Sequence, residues 1–232
     1  MSIEYYYYAT PNCHKVMVML EETGSPYRIV PINIAKGDQF RPEFLLVSPN
    51  NKIPAIVDSD PPGSGKPIAV FESGAILLYL AEKTGRFLPS GTTERWEVLK
   101  WLFWQVAGLG PIAGQNTHFR FYAPEKLGYA IRRFTDETSR LYAVLNKQLA
   151  DREFIADAYS IADMASYPWI VQHVKHDQNL ERFPHLARWM KGISTRPAVV
   201  RAYQIADQVE PNPVVTEESR QFLFGQSAAT VR

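Results

Sequence analysis

SPNNKIP at residues 48–54, followed by FESGAI at residues 71–76, is the part of the chain that decides the fold. Pro54 opens an apolar strand, and proline lacks an amide donor and tolerates a cis bond. We therefore predict that the backbone N–H and C=O of Ile53 face outward, where they can pair with a peptide-like molecule. Ser73 begins an apolar helical run, whose first amides and dipole favour a carboxylate.

The surrounding sequence alternates between strand and helix patterns. Strands are predicted at residues 3–9, 27–32, 55–57 and 68–70, and helices at residues 11–23 and 39–45. This order suits a small mixed sheet, in which the first half supplies a parallel crossover and the second half a hairpin. The pattern therefore predicts an α/β domain over residues 1–88.

The sequence changes character after LPSG at residues 88–91, because helical periodicity then replaces strand alternation. Helices are predicted at residues 93–121, 125–149, 160–176 and 184–196, with a short one after Pro197. Ser160 and Asp163 have the spacing of a capping box, which predicts a role in stability. Residues 92–207 are thus predicted to form an all-helical domain. Residues 208–232 form a polar tail, whose FLF cluster at residues 222–224 could dock on the body of the protein.

Composition narrows the class of protein. The 232 residues are 46% hydrophobic, and 25 Lys and Arg balance 24 Asp and Glu. Without a basic tract, nucleic acid is not an expected partner. The start MSIEYYYY does not have the pattern of a secretory signal, and no apolar run approaches the roughly 20 residues of a membrane helix.

The only cysteine is Cys13, so an internal disulfide and a cysteine-based metal cluster are both impossible. The five histidines show no convincing metal-ligand spacing, and no metal is expected. A reducing cytoplasm fits this composition best.

Three further stretches complete a pattern: TPN at residues 10–12, KGDQFRPEF at residues 36–44, and the aromatic and glycine-rich segment at residues 101–116. With the two stretches above, they resemble the cytosolic glutathione transferases in family order, most closely the nu class of bacterial and fungal members. The resemblance spans roughly residues 3–203. It implies a thioredoxin-like N-terminal domain, a helical-bundle C-terminal domain, and glutathione as co-substrate.

The chemical task implied by glutathione is to hold its thiol as a thiolate. Lowering a thiol pKa from about 8.5 by about two units takes roughly 2.7 kcal/mol. Thr10 and Asn12 lie where the first strand meets the first helix, so they are the predicted catalytic residues. The alternative is that Thr10 is only a helix N-cap and Asn12 only a turn residue. The pattern TxxCxK at residues 10–15 resembles that of the serine-type classes. Thr10 occupies the position of their serine.

Two rival groups lie nearby. Many transferases use a tyrosine near the end of the first strand, but the YYYY run at residues 5–8 alternates between two faces and is predicted to pack. Cys13 could be acidified in the first helical turn and form a mixed disulfide, as in cysteine-type classes. On the family pattern it faces the interior, and a buried, inert cysteine is predicted.

The resemblance also implies further ligand-binding residues. The Ile53 backbone would pair with the cysteinyl unit of glutathione, and Glu72 and Ser73 would bind the ammonium and carboxylate of its γ-glutamyl end. Gln39 and Lys52 would reach the glycyl carboxylate, although both could instead be solvated loop residues. The resemblance also implies that Asn12, besides its catalytic role, binds the substrate.

Arg133, in the helical domain, aligns with a family arginine that contacts glutathione. Its neighbour Arg132 would point about a quarter turn away. The alternative explanation for Arg133 is a surface ion pair with Glu137, four residues further along the helix.

The resemblance therefore implies a glutathione-dependent thiol:disulfide oxidoreductase, in which a bound glutathione thiolate attacks a disulfide. One alternative is a transferase that conjugates glutathione to small electrophiles, and another is a non-catalytic glutathione-binding regulatory module. The expected partners are glutathione, a small disulfide or electrophile, and a second copy of the chain in a two-fold homodimer.

Overall fold

The structure is a computed structural model that describes residues 3–63, 65–209 and 215–228. The chain divides into two compact units. The described parts of Met1–Tyr79 and Arg201–Arg232 form the first unit, and Leu80–Val200 form the second. The described part of the predicted tail therefore belongs to the first unit. Residues 210–214 and 229–232 of that tail, and Ser64 of the predicted loop, lie outside the described residues.

The first unit contains a four-stranded sheet in the order β2-β1-β3-β4. Its strands are β1 (Ile3–Tyr7), β2 (Tyr27–Pro31), β3 (Ala55–Asp58) and β4 (Ile68–Phe71). Strands β1 and β2 are parallel, whereas β3 is antiparallel to both β1 and β4. This is the predicted mixed sheet, with a crossover followed by a hairpin.

Four helices and one 3-10 turn of the first unit matter for the site. Helix α1 (Pro11–Thr23) forms the parallel crossover and ends at Gly24, whose left-handed φ of 67° terminates the helix. A 3-10 turn (Asp38–Phe40) leads into the short helix α2 (Pro42–Leu45), where a single helix over residues 39–45 was expected. Helix α3 (Ser73–Thr84) begins in this unit, and helix α10 (Glu217–Phe224) is the tail helix.

The tyrosine run packs as alternation predicts. Tyr5 and Tyr7 are fully buried on one face of the sheet, with their ring centroids 5.5 Å apart. The Tyr5 hydroxyl donates to the Cys13 carbonyl at 2.5 Å, and the Tyr6 ring packs near Phe44 with a centroid distance of 5.7 Å. The packing interpretation of these tyrosines is therefore confirmed.

The second unit is helical. Its elements are α4 (Thr92–Trp104), a π-helical segment (Gln105–Leu109), α5 (Gly110–Thr117), a second π-helical segment (His118–Tyr122), α6 (Gly128–Gln148), α7 (Ile161–Ile170), a 3-10 turn (Leu180–Arg182) and α8 (Pro184–Ser194). Helix α9 (Pro197–Val209) follows, and the boundary between the two units falls within it, after Val200. The prediction of one helix over residues 93–121 missed its two π-helical segments.

Helix α7 is shorter than predicted. It ends at Ile170, whereas a helix to His176 was expected. After Ile170 the backbone changes to tight turns, in which the His173 N–H donates to the Ile170 carbonyl three residues back at 2.9 Å. Pro168 lies inside the helix and lacks an amide donor, which weakens the ladder just before this change.

The start of α7 matches the predicted capping box. Asp163 is fully buried, and its two carboxylate oxygens accept four hydrogen bonds. Oδ1 accepts from the Ile155 N–H at 3.0 Å and from Trp189 Nε1 at 2.8 Å, and Oδ2 accepts from the Ser160 N–H at 3.0 Å and from its hydroxyl at 3.2 Å. Burial nevertheless raises the pKa of Asp163 to about 6. This network fixes the start of the helix.

Candidate functional site

The site is built at one edge of the sheet, where several strand ends meet. Tyr6 of β1 pairs with Ala55 of β3, and Ala55 pairs with Phe71 of β4. The carboxyl ends of β1 and β4 and the start of β3 therefore share an edge. Tyr7 also pairs with Pro31, so β2 ends there as well. The predicted residues of the first unit lie beside these strand ends along the chain: Thr10 and Asn12 follow β1, Gln39 follows β2, Lys52 and Ile53 precede β3, and Glu72 and Ser73 follow β4.

Thr10 is the N-cap of α1. Its backbone is extended, and its hydroxyl oxygen accepts a hydrogen bond from the Cys13 N–H at 3.4 Å. That bond uses a lone pair of the hydroxyl oxygen, and the hydroxyl also hydrogen-bonds with the Cys13 side chain, so its proton would have to turn away from that sulfur to be donated to a ligand. The capping role is therefore real, and it does not exclude a second role as a donor. Asn12 follows in the first turn and is half-buried.

Cys13 is fully buried, as predicted. Burial raises the pKa of its thiol to about 11, although hydrogen bonding with Thr10 and Tyr8 and the charge of Lys15 act in the opposite direction. Since the thiolate is the reactive form of cysteine, this environment disfavours Cys13 as a nucleophile.

The segment before β3 carries the backbone predicted to bind a peptide. The Ile53–Pro54 peptide bond is cis. The Ile53 side chain packs against the core formed by Ile32, Phe44 and Ala55. The Ser48 hydroxyl donates to the Lys52 carbonyl at 2.8 Å and so holds the preceding loop closed.

The N-terminus of α3 follows β4 directly. The Ile76 N–H donates to the Glu72 carbonyl at 2.9 Å, so the amides of residues 73–75 precede the first helical bond. Glu72 is exposed and has a left-handed φ of 71°, whereas Ser73 is buried. An exposed carboxylate thus lies next to the amides of a helix start, which is an arrangement suited to a ligand with both an ammonium and a carboxylate.

Lys15 also belongs to this region, and its sequence pattern did not predict a role in the site. It lies on α1, its side chain is 1% exposed, and its Nζ donates to the Ser73 hydroxyl at 3.2 Å. Burial lowers the pKa of Lys15 to about 7, and the negative charge of Glu72 opposes this shift. The signals in the sequence are its place in the TxxCxK pattern at residues 10–15 and its position directly before the apolar run VMVML at residues 16–20.

Gln39 and Lys52 both contact the tail. Gln39 is buried, so its interpretation as a solvated loop residue is wrong, and its Nε2 donates to the carbonyls of Ile34 at 3.2 Å and Phe222 at 3.3 Å. Lys52 is exposed, and its Nζ donates to Gln226 Oε1 at 3.1 Å. The two donors predicted for a glycyl carboxylate therefore bond to acceptors of the tail.

Arg133 lies on α6 in the second unit. Its guanidinium is more than half exposed and pairs with Glu137 at 3.5 Å, which is the alternative ion pair. Glu137 also pairs with Arg140 at 2.7 Å. A role for Arg133 in binding glutathione stays a prediction.

Across residues 3–63, 65–209 and 215–228, no group of three or more His, Cys, Asp and Glu side chains could hold a metal ion. Among the helices of this same part of the chain, none is long and apolar enough to cross a membrane.

Comparison with known proteins identifies the family. The family model described as the N-terminal domain of glutathione S-transferase matches residues 1–82, and the model of its C-terminal domain matches residues 121–197. The chain belongs to the glutathione S-transferase family. The predicted resemblance and fold class are thereby confirmed.

Individual members of the glutathione S-transferase family resemble the chain over most of its length. Disulfide-bond oxidoreductase YfcG of Escherichia coli is 51% identical over 201 residues, which cover 86% of this chain and 94% of that protein. A Burkholderia graminis glutathione transferase, solved with two glutathione molecules bound per subunit, superposes with a TM-score of 0.84 at 39% identity, covering 91% of this chain and 90% of that one.

A glutathione transferase from Pseudomonas putida was solved with one glutathione disulfide bound per subunit. It also superposes with a TM-score of 0.84, at 38% identity, covering 88% of this chain and 91% of that one. Solved relatives thus bind both the reduced and the oxidised form of the tripeptide.

Proposed function

We propose that the protein is a glutathione-dependent thiol:disulfide oxidoreductase. The observation that carries the proposal is the shared sheet edge, beside which lie the N-cap Thr10, the loop with the cis Ile53–Pro54 bond and the N-terminus of α3. These groups suit the three parts of one tripeptide. The Thr10 hydroxyl and the Asn12 side chain would donate to its sulfur, the Ile53 backbone would pair with its cysteinyl unit, and Glu72 and Ser73 would bind its γ-glutamyl end.

The reaction has two exchange steps. The bound glutathione thiolate attacks one sulfur of a disulfide, which forms a mixed disulfide and releases the other sulfur as a thiolate. A second glutathione thiolate then attacks the glutathione sulfur of the mixed disulfide, which yields glutathione disulfide and the second thiol of the substrate. Glutathione supplies both electrons, so the protein needs no cysteine of its own. The bound forms of glutathione in the two solved relatives support this sequence.

The protein's contribution is to keep the bound sulfur ionised. A charge-assisted hydrogen bond from Thr10 contributes about 1.5–3 kcal/mol, which corresponds to about one to two pKa units of the bound thiol. Without this donor, the thiolate fraction at neutral pH would fall roughly tenfold to a hundredfold.

The experiment compares the parent with Thr10→Ala and Thr10→Ser. Turnover of a small dialkyl disulfide with glutathione should fall roughly tenfold to a hundredfold in Thr10→Ala, and it should recover as the pH rises and the thiol ionises unaided. Thr10→Ser keeps the hydroxyl and should keep most of the rate. Unchanged turnover in Thr10→Ala would remove Thr10 from the mechanism.

The same assay separates the alternative functions. A chlorinated aromatic electrophile is presented in place of the disulfide, and faster turnover of this electrophile would favour a conjugating transferase. If the parent binds glutathione and turns over neither substrate, the non-catalytic binding module is favoured.

Two further parts of the proposal concern assembly and location. The protein would form a two-fold homodimer in which Arg133 contacts glutathione from the helical unit, and it would act in the cytoplasm. Sedimentation velocity of the purified chain tests the dimer, and a monomer at micromolar concentration would contradict it.

A further inference from the structure

A lysine ammonium is buried directly behind the proposed binding site for the γ-glutamyl group. Lys15 is 1% exposed, and burying an ammonium costs several kcal/mol unless the protein or a ligand compensates for the lost water. Its Nζ lies 3.2 Å from the Ser73 hydroxyl oxygen. Ser73 is the first residue of α3, so the buried charge lies at the helix start to which a carboxylate is proposed to bind.

The direction of this hydrogen bond matters for the ligand. An ammonium can only donate, so the Ser73 oxygen is the acceptor. The proton of the Ser73 hydroxyl is then directed away from Lys15. A hydroxyl fixed in this way, with a positive charge behind it, is a better donor to a carboxylate than a freely rotating one.

We propose that Lys15 is a positioning residue that gives the site its selectivity for the α-carboxylate of the γ-glutamyl group. Its ammonium holds the Ser73 hydroxyl as a donor and supplies the positive charge behind it. This inference rests on the proposed binding of glutathione and adds to it a residue that does not itself need to touch the ligand.

The neighbouring charges support the assignment. Glu72 is the charged group that acts on Lys15, because Cys13, whose thiol pKa is about 11, is neutral at pH 7. Glu72 is exposed, so the site presents a carboxylate on its surface and an ammonium beneath it. A γ-glutamyl group carries the opposite pair, and its ammonium would bind at Glu72 while its carboxylate binds at Ser73. Burial lowers the pKa of Lys15 to about 7, and an arriving carboxylate would stabilise the charged form.

The test uses two ligands that differ only at this carboxylate. The first is S-methylglutathione, which has no titrating thiol. The second is the same molecule with a hydrogen atom in place of the γ-glutamyl α-carboxylate. Calorimetric titration measures both ligands with the parent and with Lys15→Met, a variant of similar length without the charge. Lys15→Met should weaken binding of S-methylglutathione roughly tenfold or more, and it should change binding of the second ligand less than twofold.

The outcomes separate this inference from the proposed function. An equal loss for both ligands would show a merely structural role for Lys15, and no loss for either would also overturn the inference. Both results leave the proposed function standing, provided that the parent binds S-methylglutathione and turns over the disulfide. A parent that binds neither ligand would overturn the proposed function, and the Lys15 inference with it.

Two further variants keep the test decisive. Lys15→Gln retains a donor to Ser73 and removes the charge, so its loss for S-methylglutathione should lie between the parent and Lys15→Met. Ser73→Ala should lose the same discrimination between the two ligands. If Lys15→Met does not fold by circular dichroism, these two variants decide the matter, and unchanged discrimination in both overturns the inference.

Discussion

Replacing Asp163 by asparagine is expected to destabilise the protein by about 3 kcal/mol, although the two side chains are nearly identical in shape. Each carboxylate oxygen of Asp163 accepts two hydrogen bonds from donors within 3.2 Å. An amide offers one oxygen and one NH₂ group. Whichever way the amide is turned, its NH₂ group therefore faces two donors.

The magnitude follows from the bonds that are lost. Hydrogen bonds to charged groups contribute about 1.5–3 kcal/mol each, so losing two of them costs about 3–6 kcal/mol. Two effects place the result near the lower end. The Ser160 hydroxyl can rotate and accept, and the neutral amide avoids the cost of a buried charge, which also raises the pKa of Asp163 to about 6.

Urea unfolding at neutral pH, followed by circular dichroism, measures this difference. Two matched variants provide the scale. Ser160→Ala removes the N-cap and should cost about 1 kcal/mol, and Asp163→Ala removes all four acceptor bonds and should cost about 5 kcal/mol. The reasoning fails if Asp163→Asn is less destabilising than Ser160→Ala, because the opposed donors would then carry no cost.

Three other predictions concern reactivity, acid stability and the tail. Cys13 should resist alkylation by iodoacetamide in the folded protein and react once urea unfolds it, because burial raises the pKa of its thiol to about 11. The free energy of unfolding should decrease as the pH falls from about 6.5 to 4, because burial lowers the pKa of His176 to about 4. This group alone should account for a decrease of up to about 3 kcal/mol, which urea titration at each pH would measure. Gln226→Ala should lower the KM for glutathione roughly twofold to threefold, because Lys52 no longer has to break a hydrogen bond before it binds a carboxylate.

Each of these predictions has a control. Alkylation of native Cys13 at the rate of the unfolded chain would contradict its burial. His176→Asn should flatten the pH dependence between about 6.5 and 4, and an unchanged slope would assign the effect to other groups. Gln221→Ala alters an exposed residue of α10, which ends two residues before Gln226, and should leave the KM unchanged; an equal effect of both variants would point to the tail as a whole.

Local signals explain what the sequence predicted well. The bounds of α1 agree with prediction, because Pro11 at its start and the left-handed Gly24 after its end act within a few residues. The capping box of α7, the parallel crossover and the hairpin of the sheet also follow from local or short-range patterns. The catalytic candidates Thr10 and Asn12 came from the strand–helix junction, which the sequence also marks.

Contacts between distant parts of the chain explain what the sequence did not predict. Gln39 contacts Phe222, 183 residues away, so its burial is invisible in its own neighbourhood. A Cβ on Gly37 would lie 2.9 Å from the Phe222 ring, so this contact also depends on a glycine with a left-handed φ of 84°. Lys15 is a charged residue in an apolar helix, and only the fold shows that it turns toward Ser73 instead of solvent.

The inaccessible Cys13 has a consequence for how such a catalyst survives its own substrates. Oxidants and disulfides that consume exposed thiols would find none on the folded protein, because its one sulfhydryl is enclosed. The enzyme would not be glutathionylated, cross-linked to its substrate or trapped in an oxidised form. It would therefore need no reductase to regenerate it, and its rate under oxidative stress would follow the cell's supply of reduced glutathione alone.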